Sequence, residues 1–300
     1  MSHPPKTAFI AIVGKANVGK SSILNHLLGT KIAIVSDKPQ TTRTRIMGVL
    51  TTEDNVQLVF TDTPGFHRPR TKLGEKMVQA VSDSISGVDA CLFVCEAEGR
   101  ELNEAETQLL GKIRAAKVPA LLAINKIDLL PDKSVLAARI AYLAGLADFK
   151  SVIPVSARDG NGMDALLDEL KNCAYESAHF FPDDTLTDQP ERVLAAEMVR
   201  EKMLRLLKRE IPHGTAVSIE RMREREDMPI LDIDAVIYCE KESHKGIIIG
   251  KGGGMLKKIA TFARQDMERF FDCKVNLQCR VKVKPDWRNR EGLIHNFGLD

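Results

Sequence analysis

The sequence predicts two domains of different class. The first is a doubly wound, mostly parallel α/β sheet with one antiparallel edge strand; the second is a small α+β module. Three observations carry this. A chain of 300 residues is at the upper end for a single hydrophobic core. Its first half alternates short Val/Ile/Leu runs with helix-length amphipathic segments, as strands buried on both faces between crossover helices do. The stretch FPDDTLTDQP at 181–190 has two prolines, no periodicity and a different element order beyond it. The expected organisation is therefore 1–180, a linker at 181–190, and 191–300.

Within the first part, strands are expected at 7–13, 46–52, 56–61, 88–95, 118–124 and 151–155. Helices are expected at 20–28, 73–86, 103–116, 134–146 and 163–175. The runs flanking Glu53-Asp54-Asn55 are joined by so short a polar turn that they read as an antiparallel hairpin. After the linker come a charged amphipathic helix at 191–210 and strands at 217–224 and 230–239. An isoleucine run at 247–249 then meets a glycine cluster, followed by a helix at 256–271 and a strand at 274–283. The order is α-β-β-α-α-β.

Composition narrows the partners. Net charge is +2 and apolar residues make up 44%, so the chain is globular rather than disordered. Residues 1–184 carry 21 Lys/Arg against 22 Asp/Glu, whereas residues 245–290 carry 12 against 4. Basic charge concentrated in that one stretch points to a polyanion. The six cysteines form no C-x-x-C pair, which argues against a zinc ribbon or a disulfide framework. Cys91 and Cys95 read as buried free thiols. The N-terminus lacks a signal pattern and no apolar run reaches about 18 residues, so a cytoplasmic protein is expected.

Gly14-Lys15-Ala16-Asn17-Val18-Gly19-Lys20-Ser21 fits G-x-x-x-x-G-K-[ST] directly after an apolar strand and at the start of a helix. The glycines let backbone N–H groups face a β-phosphate, and the helix N-terminus favours negative charge. Lys20 would neutralise β- and γ-oxygens and Ser21 would ligate Mg²⁺. Gly14, Lys15, Asn17, Val18, Gly19, Lys20, Ser21 and Ser22 form the expected phosphate-binding set. Asp62-Thr63-Pro64-Gly65 ends the third strand; Asp62 would reach Mg²⁺ through water and the Gly65 N–H would contact the γ-phosphate. Asn125-Lys126-Ile127-Asp128 follows the fifth strand. Asp128 would accept the two N–H donors of the guanine amidine edge, which adenine does not present. Asn125 would brace the loop, the Lys126 stem would cover the base, and Ser156-Ala157 would offer a backbone N–H to guanine O6.

With these motifs in this order, residues 7–175 resemble a small Ras-like GTPase domain of the translation-factor class. The segment Lys38-Pro39-Gln40-Thr41-Thr42-Arg43 and the C-terminal module narrow the likeness to bacterial GTPases that join such a domain to an RNA-binding KH domain of type II. The resemblance implies GTP, GDP and Mg²⁺ as ligands, and Thr42 rather than its neighbour Thr41 as the switch threonine on the metal. It implies action in assembly of the small (30S) ribosomal subunit and maturation of 16S rRNA, with the KH domain on the single-stranded 3′ end. A monomer is expected, and peripheral contact with the inner face of the cell membrane is left open. Phe66 stands where Ras-type proteins place the glutamine that orients attacking water, so unaided hydrolysis should be slow. In related GTPases an asparagine at the Asn17 position coordinates K⁺, which implies the same role here. Lys20, Asn17, Thr42 and Gly65 are thus the catalytic candidates. His67 reads mainly as a switch-loop surface residue.

In the C-terminal part, Ile249-Gly250-Lys251-Gly252-Gly253, followed by Lys257 and Lys258, fits a G-x-x-G loop that approaches nucleic-acid phosphates between two helices. Ile247–Ile249 would line a groove, form core, or do both on alternate faces. Trp287 would pack on the domain or stack on a base. Two other classes compete: a signalling switch whose C-terminal domain binds protein or membrane, and a P-loop kinase or ATPase. The Asn125–Asp128 motif argues against the latter.

Overall fold

The structure is a computed structural model. It describes residues 4–299 except 39, 67, 68, 70, 100 and 209, so Pro39 and His67 of the sequence reading lie outside the described residues. Two compact units are present. The first holds most of the chain up to Asp188; the second holds the chain from Gln189 together with Ile34–Thr41 and Thr71–Leu73.

The first unit runs β1 (Lys6–Gly14), α1 (Lys20–Leu28), β2 (Ile46–Thr51), β3 (Val56–Asp62), α2 (Lys72–Ile85), β4 (Ala90–Glu96), α3 (Glu104–Ala116), β5 (Ala120–Asn125), α4 (Lys133–Ala144), β6 (Ser151–Pro154), α5 (Met163–Lys171) and β7 (Tyr175–Glu176). Its sheet order is β2-β3-β1-β4-β5-β6. All neighbours on this path are parallel except the β2–β3 hairpin. Ile10, Ile12, Leu92, Phe93, Leu121 and Leu122 are fully buried, each burial contributing roughly 1.5–3 kcal/mol relative to exposure. The register aligns Ile12 with Asp62, Gly14 with Val94 and Glu96 with Asn125, so the motif loops leave the sheet at one edge. α3 begins on a capping box in which Asn103 and Glu106 satisfy each other's backbone N–H.

One helix boundary in this unit differs from expectation. The helix expected to reach residue 175 stops at Lys171, because Tyr175 and Glu176 pair antiparallel with Thr7 and Lys6 as β7. The segment expected as linker is hydrogen bonded to this unit: Phe181 N–H, like that of the preceding Phe180, donates to the buried Gln57, and Val49 N–H donates to Leu186 O.

The second unit runs α6 (Glu191–Leu206), β8 (Ala216–Glu224), β9 (Ile230–Cys239), α7 (Glu242–Ile249), α8 (Gly254–Phe271), β10 (Lys274–Val283) and α9 (Glu291–Asn296). Its sheet order is β10-β9-β8, with β10 parallel and β8 antiparallel to β9. Met198, Val199 and Met203 join Ile233, Ile237, Ile259 and Met267 in its core. α6 ends four residues short of expectation: Leu207 turns extended and is itself buried in that core. Ile34–Thr41 is hydrogen bonded to α6 within this unit. Val35 N–H donates to Glu201 at 3.0 Å, Lys38 Nζ donates to Leu204 O and Leu207 O, and the buried Arg200 guanidinium donates to Gln40 O and Thr41 O.

Candidate functional site

The loop after β1 is shaped by close approaches that only glycine allows. A Cβ on Gly14 would lie 2.5 Å from Val94 O, and one on Gly19, at φ 100°, would lie 2.1 Å from Asn125 Nδ2. Gly65 lies as tightly against this loop: its Cβ would come within 2.4 Å of Ala16 Cα. Lys20 folds back over the loop and donates to Gly14 O at 3.1 Å and Lys15 O at 3.0 Å. Burial pushes its ammonium down to about 8, against the pull of the Asp62 carboxylate.

Ser21, Thr42 and Asp62 converge although α1, the following loop and β3 supply them separately. Ser21 Oγ lies 3.0 Å from Thr42 Oγ1 and donates to Asp62 Oδ2 at 2.6 Å. Thr41 turns away and donates to Lys38 O at 2.6 Å. Asp62 is fully buried, and its Oδ1 has no hydrogen-bond partner. Burial pushes its carboxyl up to about 6, outweighing Lys20 and the Ser21 hydroxyl. Two hydroxyls and an orphaned buried carboxylate oxygen form a hard donor set that suits Mg²⁺.

The base-recognition loop is braced across the site. Asn125 donates from Nδ2 to Val18 O at 2.8 Å and accepts from Ala157 N–H at 3.1 Å. Asp128 Oδ1 accepts from Ser156 Oγ at 2.8 Å, which fixes a carboxylate that can take paired N–H donors. Ser156 N–H donates to Asn161 O, so neither N–H of this pair stands unused. An O6 contact through Ala157 therefore shares its donor with Asn125. Asn17 holds a left-handed φ of 67° within the phosphate loop. Ser22 follows on the first turn of α1 and is half-buried. Phe66 is buried in the core with Phe93 and Leu109, and its N–H donates to Gly14 O.

In the second unit, Gly250, Gly252 and Gly253 have φ of 72°, 58° and 78°, turning the chain between α7 and α8. Lys251, Lys257 and Lys258 are exposed and Ile249 is half-buried. The isoleucine run closes α7 and divides between core and surface: Ile248 is buried and Ile247 is 51% exposed. Trp287 packs instead of offering a ring to a base. It is fully buried, its Nε1 donates to Gly214 O, and it meets Phe297 edge-on.

The profile of a family described as "50S ribosome-binding GTPase" matches residues 9–126, and that of the "KH domain" family matches residues 210–288. GTPase Era of Clostridioides difficile (strain 630) is 48% identical over 98% of this chain and 99% of its own length. The chain belongs to the GTPase Era family. Era of Ruminiclostridium cellulolyticum is 47% identical over 98% of the chain and 97% of its own. A crystal structure of a tyrosine-to-alanine variant of Aquifex aeolicus Era, bound to GDP·AlF4⁻, superposes with a TM-score of 0.94 at 37% identity. It covers 98% of this chain and 99% of the other. An Era complex with MgGDPNP and nucleotides 1506–1542 of 16S ribosomal RNA superposes with the same TM-score, identity and coverage. This Era-family chain is thus a GTPase with a KH domain, and the kinase or ATPase reading falls away.

Proposed function

We propose that this Era-family GTPase binds GTP and GDP with Mg²⁺, hydrolyses GTP, and holds the single-stranded 3′ end of 16S rRNA during assembly and maturation of the 30S subunit. Residues 1–180 act as the GTPase domain, 181–190 as the connection and 191–300 as the KH domain. The convergence of Lys20, Ser21, Thr42 and the orphaned Asp62 oxygen carries the nucleotide half of this reading. The rRNA half draws on the family and on the solved Era–rRNA complex.

Lys20 neutralises the β- and γ-phosphates while Gly14–Ser22 turns backbone N–H groups toward them. Ser21 and Thr42 hold Mg²⁺ directly and Asp62 through water. When bound, the ion draws off negative charge from the β,γ-bridge. Asp128 selects guanine over adenine, with Asn125, Lys126, Ser156 and Ala157 shaping its pocket. Gly65 donates its N–H to the γ-phosphate. The buried Phe66 cannot orient water, so unaided turnover is slow. Asn17 would hold a K⁺ ion, which would supply the positive charge that an arginine finger gives in other GTPases. In the KH domain, Ile249–Gly253, Lys257 and Lys258 meet the RNA backbone. The protein works as a monomer in the cytoplasm; peripheral membrane contact rests on resemblance alone. Among the described residues no helix is long and apolar enough to cross a membrane.

The deciding experiment measures hydrolysis of GTP and ATP in K⁺ and in Na⁺, with and without an oligonucleotide of the 16S rRNA 3′ end. The expected result is GTP over ATP, faster turnover in K⁺, and stimulation by RNA. Equal rates in the two salts would remove the Asn17 role. Absence of RNA binding even at low salt would remove the rRNA assignment.

A further inference from the structure

Glu96 ends β4 beside Asn125 on β5, between the phosphate loop and the base-recognition loop. Its carboxylate pairs with Lys126 Nζ through Oε1 and lies 3.8 Å from Lys15 Nζ through Oε2. One lysine comes from each loop. The Glu96 backbone is held as well: Arg139 Nε, on a buried side chain, donates to its carbonyl at 3.3 Å, and the next N–H, that of Ala97, donates to Asn125 O at 2.7 Å. Two lysine side chains near one site repel each other and have many rotamers to lose when fixed. A single anchored carboxylate reverses the repulsion and selects one rotamer for each.

We propose that Glu96 is a positioning residue for guanine-nucleotide retention, tying the Lys15 and Lys126 stems together as the wall of the base pocket. The proposal rests on the base-site reading above. The Glu96 carboxylate engages the two lysines, whereas Ser21, Thr42 and Asp62 engage one another. Its action is therefore on how long the nucleotide stays, for GDP and GTP alike. The three side chains are 28–38% exposed, so solvent screens the tether and its effect is moderate.

The test follows release of a fluorescent GDP chased with excess GDP from wild type, Glu96→Gln, Lys126→Met and the double variant. Thermal unfolding of the nucleotide-free proteins checks that each is folded. Glu96→Gln is expected to speed release about threefold to fivefold, and to add nothing once Lys126 is Met. Glu96→Asp, which keeps the charge but shortens the reach, should fall between wild type and Glu96→Gln and serves if the latter does not fold. Unchanged release in Glu96→Gln beside fast release in Lys126→Met overturns the tether alone, as does simple additivity of the two. Lys126→Met releasing GDP as slowly as wild type overturns the base-site reading and the tether with it.

Discussion

Lys20 and Asp62 are both buried, and burial pushes each toward its neutral form, to about 8 and about 6 respectively. Below about 6 Asp62 takes up a proton and can no longer serve a cation; above about 8 Lys20 loses the charge that meets phosphate. MgGDP affinity should therefore be greatest between those values and fall on both sides, as titration calorimetry across pH would show. The nucleotide-free fold responds in the opposite sense. The Asp62 carboxyl lies above its ordinary 3.8, so its contribution to stability grows as pH drops from about 6 toward 4. The Lys20 ammonium lies below its ordinary 10.5, so its contribution grows as pH climbs from about 8. In the window between, the empty site carries two desolvated charges, and the rise in Tm on adding MgGDP should be largest there. A flat affinity profile from pH 5 to pH 9 would mean that these groups do not touch the ligand.

At the scale of elements, the turn between α7 and α8 can be altered without disturbing the packed core. A Cβ at Gly252 meets no atom within 4 Å, whereas one at Gly250 would press on Met255. Gly252→Asp therefore adds a carboxylate where an RNA phosphate is expected to pass, and aspartate tolerates φ of 58° better than most residues. Affinity for a single-stranded 16S 3′-end oligonucleotide should drop at least about tenfold, as like-charge repulsion costs upward of 1 kcal/mol. GDP affinity and Tm should stay near wild type; an equal loss of both would mark a folding defect instead. The helix ends carry a related lesson. α5 and α6 stop earlier than their amphipathic patterns continue because Tyr175 finds a strand partner and Leu207 a core. Pattern reports what a segment prefers alone, and tertiary burial overrides it.

At the scale of the molecule, the segment Ile34–Thr41 leads directly into Thr42, whose hydroxyl meets Ser21. The same segment is fastened to α6 by Arg200, Glu201 and Lys38. Were Thr42 to move with the bound nucleotide, the shift would pass along the chain to residues hydrogen bonded to α6, and only such state-dependent contacts can couple two ligands. RNA affinity measured with GDP and with a non-hydrolysable GTP analogue should differ in wild type. In Arg200→Met, which keeps the apolar stem but leaves Gln40 O and Thr41 O without that donor, the difference should shrink. A difference of unchanged size would free this segment of any coupling role.

The sequence by itself determined the fold class of both parts, the strand order of motifs and the guanine-type site, because local patterns encode them. A glycine-rich turn, a strand-end Asp62 or an Asn125–Asp128 loop has its meaning within a few residues. Tertiary structure placed Thr42, the threonine the resemblance implied, against Ser21 and chose packing over stacking for Trp287. It alone decided that Phe66 is core and that Glu96 stands between Lys15 and Lys126. Each of these depends on residues far apart in the chain, brought together by sheet register and burial, and no local spacing records them.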